Sequence, residues 1–358
     1  MTSLSIASHP IHPISWPSAQ RQTAFEQWLA HLVGAHSLLP DTLRAASSDA
    51  SFRRYLRIDQ HSGGSLIVMD APPPLEDVRP FVLRANEMQQ AGILGPQVLA
   101  QDEAQGFLLL SDLGQGLMLG QLQTQSSQNQ HKESLALMRS AVDTLVAWQV
   151  GMACDAWQVY DESLLRRELA LFPQWCVQQE RGVTWTPDEQ SLWDTACDLL
   201  VRSALAQPTV AVHRDFMPRN LMVTPRGLAV LDFQDAVRGP ITYDIASLIR
   251  DAFFSWNEEQ EIDIAVRYWE AARKAKLPIN QDFGEFWQQL EWMGLQRHLK
   301  VLGIFCRLKH RDGKPKYSED LPRFFAYAHK TADRYNSLRP LARLLEPLMG
   351  TTRVEAFY

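Results

Sequence analysis

The stretch AVHRDFMPRN, residues 211–220, sets a histidine, an arginine and an aspartate close together and follows the aspartate, five positions on, with an asparagine. Phosphoryl transfer needs a carboxylate beside the attacking hydroxyl and oxygen ligands for a cation that neutralises phosphate charge. Asp215 is the candidate for the first task, orienting a hydroxyl and receiving its proton. Asn220 is a candidate for the second. Asp232, in VLDFQD, comes seventeen residues after Asp215 at the end of a predicted strand, and the intervening hairpin would fold it back over the loop as a second ligand. Magnesium prefers oxygen ligands and keeps several waters, so Asn220, Asp232 and nucleotide phosphates suffice, with no histidine cluster required. His213 supports the loop rather than acting as the base.

These residues need a scaffold, and 358 residues exceed the usual single domain, so either two lobes or one large α/β unit is expected. TAFEQWLAHLVG places Phe25, Trp28, Leu29 and Leu32 on one helical face that ends near Gly34. SFRRYLRID and SLIVMDAPP are β-prone runs joined by the turn QHSGG. EDVRPFVLRANEMQQAGI reads as a helix, and GPQVLAQD with GFLLLSDLG as a further strand pair, so residues 1–113 form a small sheet with one main helix. The Gln/Ser-rich run between Gly120 and His131 has little to bury and is predicted as an exposed connection between lobes. The rest of 114–358 is helical, with one continuous helix predicted over DESLLRRELALFPQWCVQQ and another carrying Phe286, Leu290, Met293, Val301, Ile304, Phe305 and Leu308. A single β island interrupts it, where LMV and LAVLDF flank the turn TPRG. The fold class is α+β.

Composition excludes several functions. A hydrophobic share of 46% with 21% charged residues is an ordinary globular balance. No apolar run reaches the length of a membrane span and the first residues lack a signal-peptide pattern, so a cytoplasmic protein without membrane partner is expected. A net charge of −6 argues against general nucleic-acid binding. Cys154, Cys176, Cys197 and Cys306 are too few and too widely spaced for a disulfide scaffold. No obligate protein partner is inferred.

HRDFMPRN and LDFQDAVRGPITYDIASL together resemble the catalytic and metal-binding motifs of the aminoglycoside phosphotransferase and choline kinase superfamily. That resemblance implies a bilobal protein-kinase-like fold, a small N-terminal β-sheet lobe plus a larger mainly helical C-terminal lobe, using ATP and Mg2+. It also implies that Asp244 braces the catalytic loop from a helix start, a role compatible with ordinary N-capping, with His213 and Arg214 as loop support. Pro218, and the absence of a lysine two places after Asp215, fit small-molecule kinases better than protein kinases. SDASFRRYLRI, LIVMDAPP, FLLLSDLG, LLRRELALFPQW and EWMGLQRHLKVLGIFCRL, among segments from about residue 47 to about 317, resemble more closely the anomeric kinases that phosphorylate N-acetylmuramate and N-acetylglucosamine at C1 in bacterial cell-wall recycling. The implied product is a sugar 1-phosphate.

The pattern departs from that family on the nucleotide side. SSDASFRRY has no glycine where a phosphate-covering loop is usually glycine-rich, leaving Ser48, Ser51 and nearby amides as phosphate candidates or as a plain hairpin tip. Met69 and Asp70 stand where the ATP-positioning lysine is expected. Arg53, Arg54 or Arg57 could replace it, with Glu87 a candidate partner, because arginine binds phosphate oxygens bidentately; the alternative is a solvated basic strand face. Backbone from Leu110 to Leu113 would meet adenine if LLLSDLG connects the lobes, and the same apolar strand ending at an Asp turn is equally expected in any α/β protein.

On the acceptor side, residues 291–316 hold seven Lys/Arg against two acids, which disfavours a polycationic aminoglycoside and suits an acceptor with a carboxylate. Asp235, Arg297, His298 and Lys314 are the candidate sugar contacts, the alternative for the basic residues being a solvated helix face, and Trp256 and Trp292 either stack on a sugar or pack in the core. Two other readings stay open: a small-molecule kinase for an aminoglycoside or amino alcohol, and a nucleotide-binding pseudokinase.

Overall fold

In the computed structural model, which describes residues 14–48, 52–251 and 253–350, the chain divides into two compact units, Met1–Gly114 and Gln115–Tyr358.

The first unit starts with α1 (Ala19–His36), whose N-cap Ser18 accepts a hydrogen bond from the Arg21 N–H and which ends on Ser37 in a left-handed conformation. Its buried face, Phe25 and Leu29, packs on Leu38, Leu56, Ile58, Leu66, Val68, Phe107 and Leu109. Those residues belong to β1 (Leu38–Ser48), β2 (Arg54–Gln60), β3 (Ser65–Asp70) and β5 (Phe107–Ser111), which with β4 (Val98–Asp102) form an antiparallel sheet in the order β1-β2-β3-β5-β4. Between β3 and β4, α2 (Arg79–Gln90) buries Phe81, Ala85 and Met88. The strand β1 is an addition to the sequence reading. Pro40 lies within it and its register with β2 shifts between Leu39 and Arg44 and again between Ala45 and Ser47, so no period-two pattern announces it.

The Gln/Ser-rich run is not a bare connection, because Met118–Ser127 forms α3 and buries Met118 and Leu122. Glutamine is a good helix former, and two apolar residues four apart are enough to dock a short helix on its neighbour. α4 (His131–Gly151) follows, then α5 (Glu162–Leu169), a π-helical segment Phe172–Glu180, and α6 (Pro187–Leu205), which starts with a Thr186–Glu189 capping box. The helix predicted over 161–179 is thus broken in two. Pro173, in the first turn of the second piece, lacks the N–H that a continuous helix would use.

Two small antiparallel pairs carry the loops of interest: β6 (Thr209–Val212) with β9 (Val237–Pro240), and the hairpin of β7 (Leu221–Thr224) and β8 (Gly227–Val230). α7 (Tyr243–Ile249), α8 (Glu258–Lys274), α9 (Phe283–His310), α10 (Leu321–Arg334) and α11 (Arg339–Leu345) complete the unit. α9 is its axis, packing on α6, α7, α10 and the π-helical segment, and it buries residues around most of its circumference. Among the described residues no helix is long and apolar enough to cross a membrane. Trp256 is buried against Phe254, and Trp292 meets Tyr335 edge-on, so both have packing partners.

Candidate active site

Strand β6 delivers the chain at His213, and its partner β9 begins opposite Val212. The loop then passes Asp215, makes a 3-10 turn at Pro218–Asn220 and enters β7. The β7–β8 hairpin brings the chain back so that the Leu231 N–H donates to the Asn220 carbonyl at 2.9 Å. Asp232 therefore lies beside Asn220: the Asn220 Nδ2 is 3.4 Å from Asp232 Oδ2 and donates to the Asp215 carbonyl at 2.9 Å. The structure brings Asp215, Asn220 and Asp232 together at one place in the second unit.

The loop is held from below by Asp244 in the first turn of α7. Its two carboxylate oxygens accept the backbone N–H groups of His213, at 2.7 Å, and Arg214, at 3.0 Å. Such bonds fix a backbone that is strained, since Arg214 and Asp232 have φ of 76° and 62°, in the left-handed region that a side chain disfavours. His213 completes the brace. Its Nε2 meets the Leu231 carbonyl at 2.9 Å while Nδ1 accepts the Asp215 N–H at 3.3 Å, an arrangement that fits the neutral tautomer protonated on Nε2. Burial pushes the imidazole down to about 4, so it is neutral at neutral pH.

Charge around Asp215 comes chiefly from α9. Burial acts to raise its carboxyl, but Lys300 and Arg297, followed by His213 and Arg214, outweigh burial and hold it below the usual range. Because His213 is neutral, the standing cations are Lys300, Arg297 and Arg214. Burial instead pushes Asp244 up to about 7, against the pull of its two backbone donors.

Glu168 on α5 organises two of those cations. Its Oε1 is 2.7 Å from Arg214 Nη2 and 3.0 Å from Lys300 Nζ, and its other oxygen accepts from the Tyr160 hydroxyl. Lys300 Nζ also donates to the Tyr243 hydroxyl at 3.0 Å. Neither Glu168 nor Lys300 was singled out from the sequence. A signal was present for Glu168: it shares the buried face of α5 with Leu164, Leu165 and Leu169, and a carboxylate on such a face needs a buried partner.

The remaining sugar candidates separate. Arg297 is buried three positions before Lys300 on the same helix, hence on a shared face. His298 is corrected. It is fully buried in the core, its ring stacked on Tyr327 with centroids 5.0 Å apart and its Nε2 3.4 Å from the Arg250 carbonyl, because the next helical position points about 100° away from Arg297. Asp235 is exposed in the turn after β8, where its carbonyl accepts from Arg214 Nη1 at 3.4 Å. Lys314 lies in the turn past His310, and the end of α9 is itself about 15 Å along the axis from Lys300.

In the first unit the arginines find acids of their own. Arg54 and Arg21 both pair with the buried Asp70 at the end of β3. Arg57 binds Asp112 at 2.6 Å and the Gly114 carbonyl at 2.8 Å, and Arg53 binds Glu76 at 2.9 Å. The guanidinium groups of Arg54 and Arg57 thus tie strands of the sheet together, and Glu87 pairs with Arg84. Arg53 stays beside the β1–β2 turn. Ser48 is paired with Arg54 in the backbone ladder, and Ser51 lies outside the described residues. Leu110 is buried in β5 between β3 and β4, and Leu113 follows that strand, partly exposed.

A carboxylate next to an amide oxygen and a second carboxylate is a donor set suited to a hard divalent cation. Among the described residues no cluster of three or more His, Cys, Asp or Glu is placed to hold a metal. Asn220 and Asp232 offer two such oxygen donors side by side.

The strained His-Arg-Asp loop, with Asn220 and Asp232 returned beside it, is the candidate site, and the chain belongs to the phosphotransferase enzyme family, whose model matches residues 42–278. Solved structures share the fold: a choline/ethanolamine kinase family protein from Mesorhizobium loti superposes with a TM-score of 0.58 at 15% identity, covering 91% of this chain and 99% of that one. The ADP-bound aminoglycoside phosphotransferase APH(2'')-Ib does so with a TM-score of 0.55 at 14% identity, covering 89% and 98%. Sequence similarity is more specific. The chain is 48% identical over 309 residues to the N-acetylmuramate/N-acetylglucosamine kinase of Pseudomonas aeruginosa, covering 86% of this chain and 89% of that protein. To the enzyme of the same name from Neisseria meningitidis serogroup B it is 43% identical over 336 residues, covering 94% and 98%.

Proposed function

We propose that this protein transfers the γ-phosphoryl group of ATP to the anomeric C1 hydroxyl of N-acetylmuramate and N-acetylglucosamine. The observation that carries the reading is the 43–48% identity, over most of both chains, to kinases named for these two sugars. The loop geometry agrees with it. Asp215 is an ionised carboxylate on a loop tied down by Asp244, His213 and Asn220, so its position relative to a bound hydroxyl is preset.

In the reaction the C1 oxygen attacks the γ-phosphorus, the bond from phosphorus to the β,γ-bridging oxygen breaks and ADP leaves. The hydroxyl proton passes to Asp215. Asn220 and Asp232 would hold Mg2+, which when bound neutralises charge on the phosphates. Glu168, Tyr160 and Asp244 orient the loop and its arginine. Ser48, Ser51, Arg53 and the backbone at Leu110 and Leu113 are the nucleotide candidates of the first unit, and Arg297, Asp235 and Lys314 those for the sugar.

Asp215→Asn keeps the shape of the loop and removes the proton acceptor. It is expected to lower kcat about 10^3-fold while leaving ADP affinity within about twofold, since the residue acts on the hydroxyl rather than on the nucleotide. Steady-state kinetics with calorimetric ADP titration checks this, and wild-type turnover in the variant would remove Asp215 from its role.

A further inference from the structure

Arg297 is only 3% exposed, yet its Nη1 has no hydrogen-bond partner among the described residues. Among the described residues, Arg57, Arg250 and Lys300, buried to a similar degree, each meet a carboxylate. Arg250 lies between Glu261 and Glu291, and Arg214 and Lys300 share Glu168. An unpaired guanidinium in the interior is costly, so a site that keeps one is built for an anion that arrives later.

Three observations place that anion. Arg297 precedes Lys300 by one helical turn, and Lys300 reaches Tyr243 on α7 and Glu168, the partner of the loop arginine. The same side of α9 therefore faces α7 and the catalytic loop. Asp244, the nearest structural acid of α7, is already engaged by the two loop N–H groups. The positive charge of Arg297 is felt at both Asp215 and Asp244.

We infer that Arg297 binds an oxyanion of the reactants beside Asp215 and thereby helps select the acceptor. This rests on the amino-sugar kinase reading. Two reactants carry such a group: N-acetylmuramate through its lactyl carboxylate, and ATP through the phosphoryl group in transit. N-acetylglucosamine has no carboxylate, so comparison of the two sugars separates the sources. The planar fork of arginine suits either oxyanion.

The test is Arg297→Met, which keeps volume along the side chain and removes the charge. Because no native hydrogen bond is lost at Nη1 and Lys300 and Arg214 remain beside Asp215, the variant is expected to lose at most a few degrees in Tm while losing function, a combination that a purely structural arginine would not give. If the carboxylate is the ligand, KM for N-acetylmuramate rises about tenfold or more and KM for N-acetylglucosamine moves less than about threefold. If the phosphoryl group is the ligand, kcat falls about 10^2-fold on both sugars. A larger drop in Tm accompanied by equal loss on both sugars, or kinetics unchanged on both, overturns the inference. Wild-type protein that phosphorylates neither sugar speaks against the proposed function instead. The oxyanion site is then read without turnover, from the Tm increase given by sodium phosphate or sodium lactate: an increase in wild type that is absent from Arg297→Met supports it, and equal shifts in both overturn it.

Discussion

Asp215 is ionised at neutral pH because the cations of α9 and Arg214 outweigh its burial. A carboxylate so stabilised is a weak base, which suits a loose phosphoryl-transfer transition state, where positioning the hydroxyl counts for more than early removal of its proton. His213 shows the opposite balance. Its unfolded-state pKa near 6.5 is pushed down to about 4 by burial, so as pH falls through this interval the unfolded chain takes up the proton first and the folded state loses stability. Relative to His213→Asn, the wild-type unfolding free energy is expected to drop by up to about 3 kcal/mol more between pH 6.5 and 4. Urea titrations across that range check it, and parallel profiles would contradict the neutral, buried imidazole. That Asp215, Asn220 and Asp232 come together could be read in the sequence because one short loop and one hairpin join them. The approach of Glu168 and Lys300 could not, because they reach that loop from helices 47 positions before and 85 positions after Asp215, and only packing reveals who meets whom.

At the scale of elements, the site depends on how closely α9 can approach its neighbours. Gly303 lies where α9 meets the chain just before the π-helical segment, and a Cβ there would sit 2.4 Å from the Leu171 carbonyl carbon and 2.6 Å from its oxygen. That is backbone, which cannot swing aside. Gly303→Ala is expected to destabilise the protein by about 1–3 kcal/mol despite its gain in helix propensity, as measured by chemical denaturation; a stability equal to wild type would show that the two segments can separate without cost. The elements themselves were unevenly legible. α1, the β2–β3 turn and the β7–β8 hairpin follow from periodicity and turn residues, whereas α3 was hidden because its two anchors, Met118 and Leu122, stand in a stretch dominated by glutamine and serine. The break at Leu169–Phe172 is visible in Pro173 once the proline is weighed against the apolar pattern on either side of it.

For the molecule as a whole, composition pointed in a useful direction but too coarsely. The basic excess over 291–316 has one sign as a count, but the structure divides it by position and partner. Lys300 pairs with Glu168 beside the Arg214 loop, whereas Lys309 pairs with Glu180, and Arg311, past the end of α9, with Asp312. A count along the chain cannot make that distinction, because residues diverge around the helix axis and spread along it by about 1.5 Å each. The same limit hid the fate of the nucleotide-side arginines, whose acids Asp70, Asp112 and Glu76 are brought to them by strand pairing and by a loop. The family relationship, by contrast, was carried by contiguous motifs, and these survive in sequence because each is read locally.

Anomeric phosphorylation of an amino sugar is open to direct measurement by phosphorus NMR. Purified protein is incubated with Mg-ATP and, in separate tubes, N-acetylmuramate, N-acetylglucosamine, choline and kanamycin. A new phosphomonoester doublet, split by the anomeric proton, is expected with the two sugars, and no product with choline or kanamycin. Transfer to choline or kanamycin, or a phosphorylated sugar lacking that anomeric coupling, would contradict it.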